Sequence, residues 1–213
     1  MTRKTEVLVI GGGATGVGVA RDLALRGVDV TVVERGGLSS GTSGRSHGLL
    51  HSGARYADTD PVGARECIAE NRVLREIAGD CIRDTGGLFV QLDGDSPEYF
   101  TAKLDACAKA GIDATELDPA AARERVPDLT TETQQAFEVP DAVIYPSRLV
   151  AANAADTEAR GGQVHPHAPV EDVTVSDGAV ATVSVGGEVD AEIQPEYVVN
   201  ATGAWAGSVA AMA

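Results

Sequence analysis

Gly11-Gly12-Gly13-Ala14-Thr15-Gly16 is the stretch that decides how this chain folds. Ahead of it runs Val7-Leu8-Val9-Ile10, rich in β-branched residues and too short for a helix, which reads as a buried parallel strand. Behind it Val17, Ala20, Leu23 and Ala24 recur at three- and four-residue steps while Arg21, Asp22 and Arg26 face away, so a helix lays one apolar stripe on a sheet. Gly27 stops that helix, because glycine takes the left-handed C′ conformation at little cost. Val28 to Val33 then reads as a second strand, ending at Glu34.

Strand, glycine turn, helix, strand and acid is the order of a dinucleotide-binding βαβ unit. Gly11 lets the chain turn sharply off the strand, Gly13 removes the side chain that would keep a pyrophosphate from the backbone, and Gly16 lets helix and strand pack closely. Ala14 and Thr15 stand at the helix N-terminus, where free N–H groups and a partial positive charge suit phosphates. Glu34, at the tip of the second strand, is placed to accept hydrogen bonds from ribose hydroxyls. The turn alone does not separate FAD from NAD, since both carry an adenosine pyrophosphate half.

The 213 residues suffice for one substantial core, or one domain with an insert. A hydrophobic share of 43% without repeats fits a folded globular protein, and no apolar run reaches the length of a membrane span. Thr2-Arg3-Lys4-Thr5-Glu6 leads into a strand without the apolar core of a signal peptide, so the expected location is cytoplasmic. Cys67, Cys81 and Cys107 lack a CxxC pair and read as reduced thiols. A net charge of −15 argues against nucleic-acid binding. Lysine occurs only at 4, 103 and 109, and such an acidic, arginine-biased surface is suited to concentrated salt.

Ser39 to Tyr56 is the second informative stretch. Gly41, Gly44, Gly48 and Gly53 argue against a regular helix or central strand. Yet it carries His47, His51, Arg45, Arg55 and Tyr56, residues that a loop lying along a cofactor and facing a substrate can use. The glycines also spoil the helix on which His47 and His51 would hold a metal, so no metal site is assigned.

GGGATG at 11–16, ARDLALRG at 20–27, VVER at 32–35 and GTSGRSHGLLHSGARY at 41–56 resemble the N-terminal part of flavin-dependent glycerol-3-phosphate dehydrogenases, and within them the large catalytic A subunit of the anaerobic complex. Tyr197-Val198-Val199, running into Asn200-Ala201-Thr202-Gly203-Ala204-Trp205, is similar to that family's second flavin-contacting turn. The resemblance implies an α/β, Rossmann-like FAD-binding domain of the glutathione-reductase and D-amino-acid-oxidase type, with part of an inserted substrate-side β-sheet. It assigns 1–84 and 146–213 to the FAD domain and 85–145 to the cap. It also implies that Arg35, Thr42, Ser43, Arg45, His47, Gly48, Leu49 and Leu50 lie along the cofactor, with Ala201, Thr202, Gly203 and Trp205 opposite and Val170 beside the adenine.

The implied reaction oxidises sn-glycerol 3-phosphate to dihydroxyacetone phosphate and passes electrons to a quinone through partner subunits of a membrane-associated complex. His51 is the better candidate for the base, because imidazole titrates near working pH. Arg55 matches a substrate-facing position and can give a phosphate two parallel hydrogen bonds; Tyr56 stands behind it. The alternatives are a surface ion pair for Arg55 and a packed ring for Tyr56, and, for the chain, a non-catalytic FAD-binding fragment or another D-amino-acid-oxidase-type oxidoreductase. Family members continue well beyond the second turn, so the chain is expected to be a fragment that lacks the C-terminal remainder of the fold.

The intervening pattern predicts a helix over 61–78 with Ile68, Leu74 and Ile77 buried, a strand over 86–92, and a helix over 97–110 with Phe100, Leu104 and Ala108 apolar. Asp118-Pro119 caps a short helix that Pro127 ends, and strands follow at 134–139 and 142–144. Pro146 opens a helix that runs to Gly161, and the valines from Val164 to Val189 with Ile193 read as a β-meander, with His165 and His167 on its surface.

Overall fold

Alternation along one strand sets the first layer. In a computed structural model that describes residues 2–213, β1 (Thr2–Ile10) buries Val7 and Val9 toward one side and Leu8 and Ile10 toward the other. Met1, the first residue of the expected FAD domain, lies outside the described residues. The elements then run α1 (Ala14–Leu25), β2 (Val30–Val33), β3 (Leu49–Leu50), α2 (Pro61–Ile77), β4 (Ile82–Asp84), β5 (Gly87–Leu92), α3 (Pro97–Ala110), β6 (Thr115–Leu117) and α4 (Pro119–Arg125). They continue through β7 (Thr133–Val139), β8 (Ala142–Ile144), α5 (Pro146–Ala159), β9 (Gln163–His165), β10 (Val170–Ser176), β11 (Ala179–Val185), β12 (Ala191–Asn200) and α6 (Ala206–Ala210).

The chain forms two compact units, Met1–His47 with Tyr145–Ala213, and Gly48–Ile144. In the first, a six-stranded sheet has the order β10-β11-β12-β1-β2-β9. The run from β12 to β9 is parallel, while β10 and β11 add an antiparallel edge. Ala20 and Ala24 of α1 pack on Val7, Val9, Val30 and Val32, and Val17 meets Val150 and Ala154 of α5. The opposite face of β1 joins Val173, Val183, Val185 and Ile193. The expected meander therefore begins at Val170. Val164 lies instead in β9, paired in parallel with β2, because α5 returns the chain to the far side of β2.

The second unit holds two three-stranded antiparallel sheets, β5-β7-β6 and β3-β8-β4. Phe137 is its largest fully buried side chain, stacked on Phe89 at 5.0 Å and edge-on to Phe100 at 5.1 Å. Ala54, Ala57, Ala64, Ile68 and Cys107 share that core. Because α2 and the turn before it pack with α3 and β7, the first division between units falls after His47, not after residue 84 as the sequence suggests.

Caps follow local chemistry. Asp60 accepts from Gly63 N, Ser96 from Tyr99 N, and Asp118 from Ala120 N and Ala121 N, each with proline at the start of the helix. Two helix faces differ from their apolar pattern. The buried positions of α2 are Ala64, Ile68 and Asn71, with Ile77 58% exposed, and those of α3 are Phe100, Lys103, Cys107 and Ala110, with Ala108 exposed. Phe137→Ala is expected to lower stability by about 3–5 kcal/mol in urea unfolding, through lost burial and the cavity left behind. A loss below about 1 kcal/mol would contradict the role given to this ring.

Candidate functional site

β1 delivers the chain to Gly11, whose φ of +117° is open to glycine and rare for other residues. A Cβ there would stand 2.5 Å from the carbonyl oxygen of Ala201. Gly16 is tighter still: its Cβ would lie 1.8 Å from the carbonyl oxygen of Gly11 and 3.4 Å from the Cβ of Ala201. Gly13 is the N-cap of α1, and a Cβ on it would meet Ser43 Oγ at 3.1 Å. Absent side chains thus bring the first turn of α1, the end of β1 and the turn after β12 together. That is a cradle of the kind a pyrophosphate needs.

Glu34 sits at the end of β2 and bonds the glycine turn. Its Oε2 accepts from Gly12 N at 2.7 Å and its Oε1 from Gly36 N at 2.8 Å. A carboxylate oxygen has further lone-pair capacity, so both oxygens retain room for hydroxyl donors. The backbone after β9 runs beside this acid: Glu34 N donates to His165 O at 2.9 Å and Ala168 N to Glu34 O at 2.8 Å. Val170 follows two residues later, partly buried against the core. His165 is half-buried, within 3.3 Å of Arg3 Nη1, and burial holds its pKa below the usual imidazole value.

The loop after Glu34 folds back onto α1. Ser39 N donates to Gly12 O at 3.0 Å, and Ala14 N donates to Ser43 Oγ at 2.9 Å. Thr42–Arg45 forms a 3-10 turn, and the Arg45 guanidinium donates to the carbonyls of Ser40 and Gly41. Arg35 lies over the Trp205 ring at 3.9 Å from its centroid. In the turn after β12, Thr202 Oγ1 donates to Asn200 Oδ1 at 2.6 Å, and Gly203 takes φ +59°. Of the candidate cofactor residues, the first unit therefore carries Gly11 to Gly16, Glu34, Arg35, Thr42, Ser43, Arg45, His47, Val170 and Ala201 to Trp205.

Gly48, Leu49, Leu50, His51, Arg55 and Tyr56 belong to the second unit. Leu50 is buried and Leu49 is 47% exposed in β3, which pairs with β8. Ser52 N donates to Asp141 Oδ1 at 2.6 Å, and Gly53 turns the chain at φ +91°. Ala54 and Ala57 are anchored in the core, whereas Arg55 and Tyr56 are exposed. The His51 ring meets Tyr56 edge-on at 5.7 Å, and its buried Nδ1 has no hydrogen-bond partner among the described residues. His51 also lines a cavity of about 330 Å³ with Leu50, Glu66, Cys67, Glu70 and Asn71. Burial first, then Glu66 and Asp60, pushes the Cys67 thiol up, which keeps it protonated.

Three polar residues around this segment escape the apolar pattern of the sequence. Asn71 is 1% exposed and donates to Leu50 O at 3.4 Å and to Pro140 O at 3.1 Å. Asp141 holds Ser52, and Lys103 is 3% exposed, paired with Asp58 and donating to Arg55 O at 3.1 Å. The hydrogen bond from Lys103 holds the Asp58 carboxyl below its usual range. Burial pulls the Lys103 ammonium down, but Asp58 and Tyr99 outweigh it and leave the net shift upward. Among the described residues, no group of His, Cys, Asp or Glu side chains is placed to hold a metal, and no helix is long and apolar enough to cross a membrane.

The family model for FAD dependent oxidoreductases matches residues 6–213, and the chain belongs to that family. It is 52% identical to the A1 subunit of the anaerobic glycerol-3-phosphate dehydrogenase of Haloferax volcanii, over 98% of this chain and 38% of that protein. To the A subunit of the same enzyme from Escherichia coli strain K12 it is 42% identical, over 98% of this chain and 39% of that one. The crystal structure of L-proline dehydrogenase from P. horikoshii superposes with a TM-score of 0.79 at 28% identity, over all of this chain and 56% of the other. The chain thus spans less than two-fifths of the length of these two curated relatives.

Two glycines of one helix give opposite expectations. Gly16→Ala forces a methyl onto backbone 1.8 Å away, whereas a Cβ at Gly18 meets nothing within 4 Å. Thermal melts should show Gly16→Ala destabilised by at least about 1–3 kcal/mol, and Gly18→Ala stabilised by about 0.5–1 kcal/mol. Equal effects at the two positions would contradict the close approach described for α1.

Proposed function

We propose that this chain supplies the FAD-binding portion of a flavin-dependent dehydrogenase that oxidises sn-glycerol 3-phosphate to dihydroxyacetone phosphate. Electrons then pass to a quinone through partner subunits, with the assembly on the cytoplasmic side of a membrane. The observation that carries this reading is the cradle of Gly11, Gly13, Gly16 and Ala201 in a chain that is 52% identical to the A1 subunit of an anaerobic glycerol-3-phosphate dehydrogenase.

In this reading the first unit holds the adenosine and pyrophosphate of FAD. The first turn of α1, whose Ala14 N–H is held by Ser43 Oγ, faces the phosphates, and the Glu34 oxygens accept from the ribose. Ser39 and Ser43 hold the following loop on α1, and Arg35 stacked on Trp205 fixes the turn after β12. FAD, when bound, supplies the acceptor for the two electrons and the hydrogen leaving C2 of the substrate. Arg55 and Tyr56 stand out from the buried Ala54 and Ala57, so Arg55 is free to fork two N–H groups onto a phosphate. His51 takes the proton of the C2 hydroxyl as the carbonyl forms.

The test is made without oxygen and in molar potassium chloride, with the chain loaded with FAD and mixed with glycerol 3-phosphate. Loss of the yellow flavin absorbance and formation of dihydroxyacetone phosphate support the proposal. Bound flavin that stays oxidised in the full-length protein as well would contradict it. Arg55→Ala should raise the KM of the full-length protein by roughly 10- to 100-fold, the worth of a charge-assisted hydrogen-bonded pair. FAD affinity should be unchanged.

A further inference from the structure

The turn that presents Arg55 and Tyr56 is held from three sides. Gly53 adopts φ +91°, and a Cβ there would stand 2.7 Å from the carbonyl oxygen of Ala64 in α2. Ala54 and Ala57, 1% and 2% exposed, pin the two ends of the short 3-10 turn Ala54–Tyr56 into the core. The third hold is electrostatic: Lys103 of α3 donates to the carbonyl oxygen of Arg55 and pairs with the carboxylate of Asp58.

This lysine is out of place by every local criterion. The chain has only three lysines, and this one is 3% exposed on the apolar side of a helix, beside Phe100 and Cys107. Burying an ammonium costs several kcal/mol unless it is paired and its remaining protons are satisfied. Asp58 supplies the charge, the Arg55 carbonyl supplies an acceptor, and the Tyr99 ring lies 5.4 Å from the ammonium. A core position filled only for stability would take methionine or leucine at no such cost. What an apolar side chain does not supply is a donor that fixes the backbone of Arg55 itself.

We infer that Lys103 is a positioning residue, which clamps the carbonyl of Arg55 through a buried pair with Asp58 and so holds the Arg55 and Tyr56 side chains where the substrate phosphate is taken. The inference rests on the proposed assignment of Arg55 and Tyr56 to substrate. The clamp itself is read from geometry alone, so the two are tested separately.

The experiment compares the full chain with Lys103→Met, Asp58→Asn and the double variant by amide hydrogen exchange, with FAD bound. In Lys103→Met the amides of 54–59 should exchange at least about tenfold faster, the loss of one hydrogen bond to a charged group, while those of 98–110 keep their protection. The double variant removes the orphaned carboxylate as well, so it regains stability, yet 54–59 should still exchange fast because the Arg55 carbonyl has lost its donor. Asp58→Asn keeps the ammonium and should keep 54–59 protected to within about threefold. Protection of 54–59 in Lys103→Met, or its full return in the double variant, would overturn the inference and leave an ordinary core ion pair. If Lys103→Met unfolds outright, the double variant decides.

A second arm reads function in the full-length protein. Lys103→Met with Asp58→Asn should raise the KM for glycerol 3-phosphate at least about tenfold, with kcat and FAD affinity within about twofold, while a change confined to kcat would overturn the inference. Absence of turnover in the unaltered protein would sink the proposed reaction but not the exchange result.

Discussion

One interatomic approach governs the rest: the carbonyl oxygen of Gly11 occupies the space into which a side chain at Gly16 would project, with the hypothetical Cβ only 1.8 Å away. Because both positions are bare, α1 starts hard against the end of β1, and the turn at Ala201 closes on the same spot from the other side of the chain. Parallel pairing of β1 with both β2 and β12 makes this possible, since it brings the ends of three strands to one edge. Ligands of open α/β sheets bind at such carboxyl ends, and here that edge also carries the first turn of α1. Glu34 then draws the second strand in, by accepting from Gly12 and Gly36.

The second unit solves a different problem, the display of polar side chains from a glycine-rich segment. Alanines at 54 and 57 go inward and the residues between them go outward, a device that needs a core close behind the turn. α2, α3 and β7 provide that core around Phe137. Polar groups do the rest: the buried Asn71 reaches Leu50, the partly buried Asp141 reaches Ser52, and the buried Lys103 reaches Arg55. Each hydrogen bond lands on main chain of the segment from 50 to 55, so the backbone is fixed while exposed side chains stay free.

The crossover from β1 through β2 is legible in the sequence because its signals are local: a β-branched run, a glycine turn, a 3.6-residue apolar stripe and an acid at the right distance. The cap at Asp118 and the glycine stop at Gly27 are local in the same sense. Burial of Asn71 and Lys103 is not. Their partners lie at Leu50, Pro140, Asp58 and Arg55, far along the chain, and an apolar count instead favours Ile77 and Ala108, which are exposed. The meander misplaces Val164 for a related reason, since alternation looks the same in a parallel strand and a hairpin, and only the path of α5 separates them. Likewise, the helix at 61–77 reads as part of the nucleotide domain until its contacts with α3 and β7 are seen.

Trp205 is the single tryptophan of the chain and lies under Arg35 at the turn that meets the glycine cradle, so its emission reports on the cradle directly. Titrating the purified chain with FAD in concentrated salt, and following tryptophan and flavin fluorescence together, measures what the account claims. Saturable quenching of both signals at one equivalent is the predicted result. Tryptophan emission that stays constant, with every added flavin still as bright as in free solution, would contradict it.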